Sequence, residues 1–196
     1  NGITGTLAGK QNIRVNGYPR ISVDNSGGAH DGRIYIITTQ KNNAPAGSDP
    51  DVILHYSDNQ GGVWSAGKRV NGDAMNNGKT QYFPALEVDA AGGVNIMYYD
   101  DRLTTNDSTN VFLARSTDGG NSFSEMELTS GAFKPEPVGG LGQGYQGDNI
   151  ALQYTSGKLL PVWMDNRSGR YQLYSVPLTI INTSVDDNKD IAAGFE

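Results

Sequence analysis

A repeat constrains this chain more than any other feature. Ser57-Asp58-Asn59-Gln60-Gly61-Gly62-Val63-Trp64 and Ser116-Thr117-Asp118-Gly119-Gly120-Asn121-Ser122-Phe123 share one frame, displaced by 59 residues. Ser57 aligns with Ser116, Asn59 with Asp118, Gly61 with Gly120 and Trp64 with Phe123. At the same displacement further on stands Ser175, where Val176-Pro177 replaces the rest of the motif. The segments leading into each serine, DVILHYS, NVFLARS and YQLYS, are rich in β-branched, aromatic and Leu residues and read as strands. Two further sets recur upstream. One is YPRISVD, YFPALEVD and YQGDNIALQ. The other is RIYIITTQ, VNIMYYDDR and LLPVWMDNR.

Three copies of a roughly 60-residue, strand-rich unit predict an all-β chain, a β-propeller of four-stranded antiparallel blades. No segment shows a sustained 3.6-residue apolar period, so little helix is expected. Fourth strands follow in two copies, as GKRVNG and EMELTSG, and none is evident in the third. IRVNG at the N-terminus matches KRVNG and reads as a fourth strand without a blade. The expected division is residues 1–17 as the outer strand of a preceding or partner blade, then blades over 18–72 and 73–131. An incomplete blade follows over 132–180, and then a polar linker tail over 181–196. About three blades are half of a six-bladed ring. The chain is therefore expected either to be a piece of a longer propeller or to pair with a second copy.

The repeated octapeptide joins the third strand of a blade to the fourth. In a tight hairpin the turn N–H groups lack ladder partners; Asp or Asn accepts from them, and Gly supplies positive φ. Trp or Phe is then expected to tuck against the sheet. The pattern resembles the Asp-box, or bacterial neuraminidase repeat, S-x-D-x-G-x-[TS]-[WF]. The second copy fits it throughout; the first departs at Asn59 and Val63. The resemblance implies a sialidase-like propeller, most similar to propeller domains of large secreted bacterial surface proteins, with these turns structural and peripheral. It also implies a secreted or cell-surface location, in a Gram-negative bacterium.

Sialidase chemistry requires three arginines converging on a carboxylate, a Tyr nucleophile beside a Glu, and an Asp acid/base. The F/Y-R-I-P motif of that family is absent, and YPRI orders the same letters differently. Candidates for chemistry are Asp100, Asp101 and Arg102, the equivalent Asp165 and Arg167, and Tyr145 and Asp148 in the loop before the third unit. Repetition of Asp-x-Arg favours an ion pair that orders the loop over a polar rim that binds sugar hydroxyls. GQGYQG, from Gly142 to Gly147, matches a dinucleotide fingerprint but opens a strand rather than a helix, so it carries no such function.

Composition excludes other classes. Net charge is -6 with a pI near 4.8, which disfavours nucleic acid. No apolar run is long enough to span a membrane, and no signal peptide is evident. Cys is absent, and His30 and His55 have no ligand spacing. No cofactor is expected. Calcium is the metal that the Asp-rich loops DNSGGAHDG and GSDPD could hold, although neither has the EF-hand pattern. The expected function is an extracellular, non-catalytic module that binds glycan or protein or serves assembly. The alternative is a sialidase-like glycosidase domain completed by another half or chain.

Overall fold

A computed structural model describes residues 2–105, 107–139, 144–181, 184–185 and 193–195. Among them the regular structure is β-strand, with one 3₁₀ turn at Ala8–Lys10. The chain opens with a hairpin, β1 (Thr4–Leu7) against β2 (Ile13–Asn16). The first blade follows as β3 (Arg20–Val23), β4 (Ile34–Gln40), β5 (Asp51–Ser57) and β6 (Lys68–Arg69), in that spatial order. The second blade is β7 (Gln81–Val88), β8 (Val94–Asp100), β9 (Asn110–Ser116) and β10 (Ser124–Glu127), again in sequential order. All pairings are antiparallel. The register of β7 shifts between Tyr82 and Ala85, where Pro84 cannot donate to the ladder.

The third blade keeps the order but breaks its outer strands. β11 (Ala151–Thr155) pairs with β12 (Lys158–Asp165). On the other edge of β12 lie β13 (Gln172–Ser175) and then β14 (Leu178–Ile181), in succession along one strand line. Val176 and Pro177 interrupt that line, and proline has no N–H to offer it. The fourth-strand position is filled in two pieces: β15 (Ser184–Val185) pairs with β14, and β16 (Ala193–Phe195) pairs with β13. The expected division gave this blade no outer strand and a linker tail over 181–196; the described pieces 184–185 and 193–195 of that tail pair with the blade. The remainder of that tail lies outside the described residues. Ile13–Asn16, expected as the outer strand of a preceding or partner blade, pairs with β1 and buries Ile13 and Val15 in the core.

Burial reports the stacking. Every residue of β8 and β9 is buried, because the second blade is covered on both faces. Tyr35, Ile37, Val52 and Leu54 pack against Ile96, Tyr98 and Phe112 between the first two blades. Met97, Tyr99 and Leu113 pack against Leu152, Leu159 and Trp163 between the second and third, with Ile3, Ile13 and Val15 of the hairpin joining them. Among the described residues the outer blades are covered on one face only, so β3, β4 and β12 alternate between more and less buried residues.

Candidate functional site

The two ends of the blades carry different chemistry. β8 runs from Val94, opposite Ser116, to Asp100, opposite Asn110. The octapeptide turns and the Asp-x-Arg loops are therefore at opposite ends of the same strands, about 20 Å apart.

At the first end the turns have the predicted wiring. Ser116 Oγ accepts from Gly120 N–H (2.8 Å) and donates to Asp118 Oδ1 (2.7 Å), which also accepts from the N–H groups of Asn121 and Ser122. Burial pushes the Asp118 carboxyl up, but the bonds from Ser122, Ser116 and Asn121 outweigh it and hold the pKa at about 2. In the first blade Ser57 and Asn59 repeat the pattern onto Gly61 and Val63. Gly61 and Gly120 have φ +87° and +91°, the region that the turn needs and that glycine adopts freely. The aromatic rings differ. Phe123 packs against the core between the blades, whereas Trp64 is 40% exposed and does not tuck as expected. Arg33 ties the turns together, with Nε and Nη2 on the Asp58 carboxylate and Nη1 on Gly119 O.

At the other end the Asp-x-Arg loops close on themselves. Asp100 accepts from Arg102 N–H and Nε, both at 2.7 Å. Asp165 accepts from Arg167 N–H (2.7 Å) and Nε (2.6 Å). Each guanidinium lies over an aromatic ring of its own third strand, Phe112 or Tyr174. Arg102 also holds Glu125 with both terminal nitrogens, and Tyr98 donates to Glu125. No sequence motif marks this Tyr–Glu pair. It is formed between the second and fourth strands, and Tyr98 is fully buried, with its phenol pKa raised by that burial. Asp101 takes Thr80 N–H on one oxygen and Lys10 Nζ, 2.5 Å away, on the other. The Lys10 and Asp101 side chains are each only 2% exposed. Burial lowers the Lys10 pKa, and the bond to Asp101 opposes it.

Tyr145 and Asp148 meet the N-terminal hairpin. Arg14 Nη2 reaches Asp148 Oδ2 at 2.7 Å, and its guanidinium lies 3.8 Å over the Tyr145 ring. Arg14 N–H donates to Gly144 O (2.7 Å), and a Cβ on Gly144 would fall 2.7 Å from Asn12 O, so the close approach requires glycine. Between Tyr145 and Asp148, Gln146 accepts from Tyr82 Oη at 3.3 Å. Gln146 Nε2 and Asp148 Oδ1 are buried without a hydrogen-bond partner among the described residues. A donor and an acceptor left open in one loop cost about 1–3 kcal/mol each. Gly142 and Gln143 of the GQGYQG match lie outside the described residues, and Tyr145 to Gly147 form loop, not helix.

Arg14, Lys10 and Gln146 were not selected from sequence. The match of IRVNG to KRVNG was a usable signal, since Arg69 of the second segment binds Asp51 and Asp73 as Arg14 binds Asp148. In the Asp-rich loops, Asp24 accepts from Ser26 N–H, Asp31 from Gly27 N–H and Asp51 from Gly47 N–H. Among the described residues no group of three or more His, Asp or Glu is arranged to hold a metal.

No family model matches the chain, and no curated protein matches it. Solved structures do. One is a family 117 glycoside hydrolase produced by the marine bacterium Zobellia galactanivorans, with TM-score 0.52 and 11% identity over 100% of this chain and 63% of that one. Another is the Penicillium chrysogenum alpha-L-arabinanase complexed with arabinobiose, with TM-score 0.59 and 16% identity over 99% of this chain and 54% of that one. The architecture is a β-propeller. Identities this low establish shared fold alone. The chain spans 63% and 54% of the lengths of these two propellers.

Proposed function

We propose that the chain is a non-catalytic, carbohydrate-binding propeller module of a larger secreted or cell-surface protein, built on Asp-box turns of the bacterial neuraminidase type. The site is the loop Tyr145–Asp148 with Arg14. The carrying observation is that Gln146 Nε2 and Asp148 Oδ1, two residues apart in one loop, have no hydrogen-bond partner among the described residues. A vicinal diol supplies one hydrogen and one lone pair to such a pair, and the Tyr145 ring offers an apolar wall. The carboxylates and arginines repeated at the blade ends are unsuited to substrate contact, because Asp100 with Arg102 and Asp165 with Arg167 already neutralise each other.

The test combines a printed glycan array with a fluorogenic sialoside. Binding without turnover, lost in Asp148→Asn, is the expected result. Turnover that disappears in Arg102→Ala or Arg167→Ala would replace this reading with the second one. That second reading is a sialidase-like glycosidase whose site is completed by further blades. It is favoured by the chain spanning only part of two propellers that are named as a glycoside hydrolase and an arabinanase. Under either reading the partner is the remainder of a propeller or a second copy of the chain, in a ring of six blades.

A further inference from the structure

The two octapeptide turns differ in what they leave free. In the second turn Ser122 Oγ donates to Asp118 Oδ2 at 2.5 Å, so the hydroxyl closes off the second carboxylate oxygen. In the first turn both partners are changed. Asn59 uses Oδ1 as the turn acceptor, 2.7 Å from Val63 N–H, and so does the work of the aspartate. Val63 has no hydroxyl to meet the other amide atom, and Asn59 Nδ2 makes no hydrogen bond among the described residues. The paired change turns a satisfied carboxylate into an exposed donor. The third change is Trp64 in place of Phe123, with Trp64 lying partly open to solvent. A cleft of about 280 Å³ opens there, lined by Tyr56, Asp58, Asn59, Val63, Trp64 and Ser65. Its polar atoms are of both kinds. Arg33 fixes the Asp58 carboxylate, which is still more than half exposed. Ser65 Oγ accepts from Tyr56 N–H at 2.9 Å, leaving its own hydrogen to donate outward.

We propose that the first turn is a carbohydrate subsite, in which the apolar face of one pyranose ring stacks on Trp64 and its hydroxyls bond Asn59 Nδ2, Ser65 Oγ and the Asp58 carboxylate. A sugar ring fits this mixture because one face carries C–H groups while the rim carries hydroxyls that both donate and accept. The cleft is at the small end for a ligand site, which suits one ring rather than a long chain. The subsite is at the opposite end of the blades from the Tyr145–Asp148 loop and does not depend on it.

Saturation-transfer NMR on the full chain, with methyl β-D-galactopyranoside, methyl β-D-glucopyranoside and methyl α-D-mannopyranoside, tests it. At least one should bind with half-saturation on the order of millimolar, as expected of one ring with few hydrogen bonds. Trp64→Ala should abolish that transfer. Asn59→Asp keeps the turn acceptor but puts a charged acceptor where the donor stood, in the same cleft as the Asp58 carboxylate, and should weaken binding roughly five- to tenfold. Both substitutions are read in the Asp148→Asn background, which silences the other proposed site. No transfer from any of the three glycosides overturns the proposal. So does transfer that survives Trp64→Ala and Asn59→Asp, and transfer lost in Asp148→Asn alone would place the sugar in the other site.

Discussion

Tyr99 clamps the backbone of Met164: its hydroxyl donates to Met164 O at 2.9 Å and accepts from Met164 N–H at 3.1 Å. Met164 lies past the last rung of the β11–β12 ladder, Ala151 opposite Val162, so a side chain of the second blade completes the edge of the third. Tyr99→Phe keeps the ring and opens both groups. The expected loss is about 1–3 kcal/mol for each group that water does not reach. Urea unfolding with an unchanged m-value measures it, and a variant as stable as the parent would show that the clamp is idle.

Arg102 is expected to be a structural residue. Arg102→Ala leaves Asp100 fully buried with Gln81 Nε2 as its remaining side-chain partner, and leaves Glu125 with Tyr98. Removing one member of such a buried pair costs about 3–5 kcal/mol. The thermal midpoint should fall steeply. Glycan binding per folded molecule, measured at low temperature, should not change.

Acid should loosen the second turn. Asp118 has a folded pKa of about 2, below the ordinary carboxylate value of about 3.9. A depressed carboxyl adds stability above its unfolded pKa and loses it as pH falls through the folded pKa, so the contribution fades between about pH 4 and pH 2. Asp118 is exposed, which keeps the effect below about 1 kcal/mol. Asp118→Asn, which copies the first turn, should flatten the pH dependence of stability in that window. Unchanged acid unfolding would show that the turn does not contribute.

The outer blades should associate through their bare faces. Ile21 is 64% exposed and shares its side of the first blade with Val23, Ile34 and Ile36. Leu173 is exposed on the outward side of the third blade. Light scattering on the isolated chain should report a species larger than one copy, and Ile21→Glu should return it to monomer. A parent chain that stays monomeric at tens of micromolar would mean that these faces tolerate water.

The repeat made the blades legible before any coordinate. Alternating strands can bury their apolar residues only by stacking sheets, and a repeated frame of Ser, Asx and Gly dictates the wiring of a local turn, so strand order and turn chemistry follow from neighbouring residues. Asp-x-Arg was legible for the same reason, since its carboxylate and cation are two residues apart. What depends on distant pairings was not. Ile13–Asn16 looks like an outer strand until Thr4–Leu7 takes its edge, and Ala193–Phe195 looks like a tail until it meets Leu173–Ser175. Arg14 meets Asp148, and Lys10 meets Asp101, across 134 and 91 residues of chain. Short-range pattern fixes which groups a segment presents. Only the packed fold decides which of them are matched, which are buried, and which, like Asn59 Nδ2 beside Trp64, are left open.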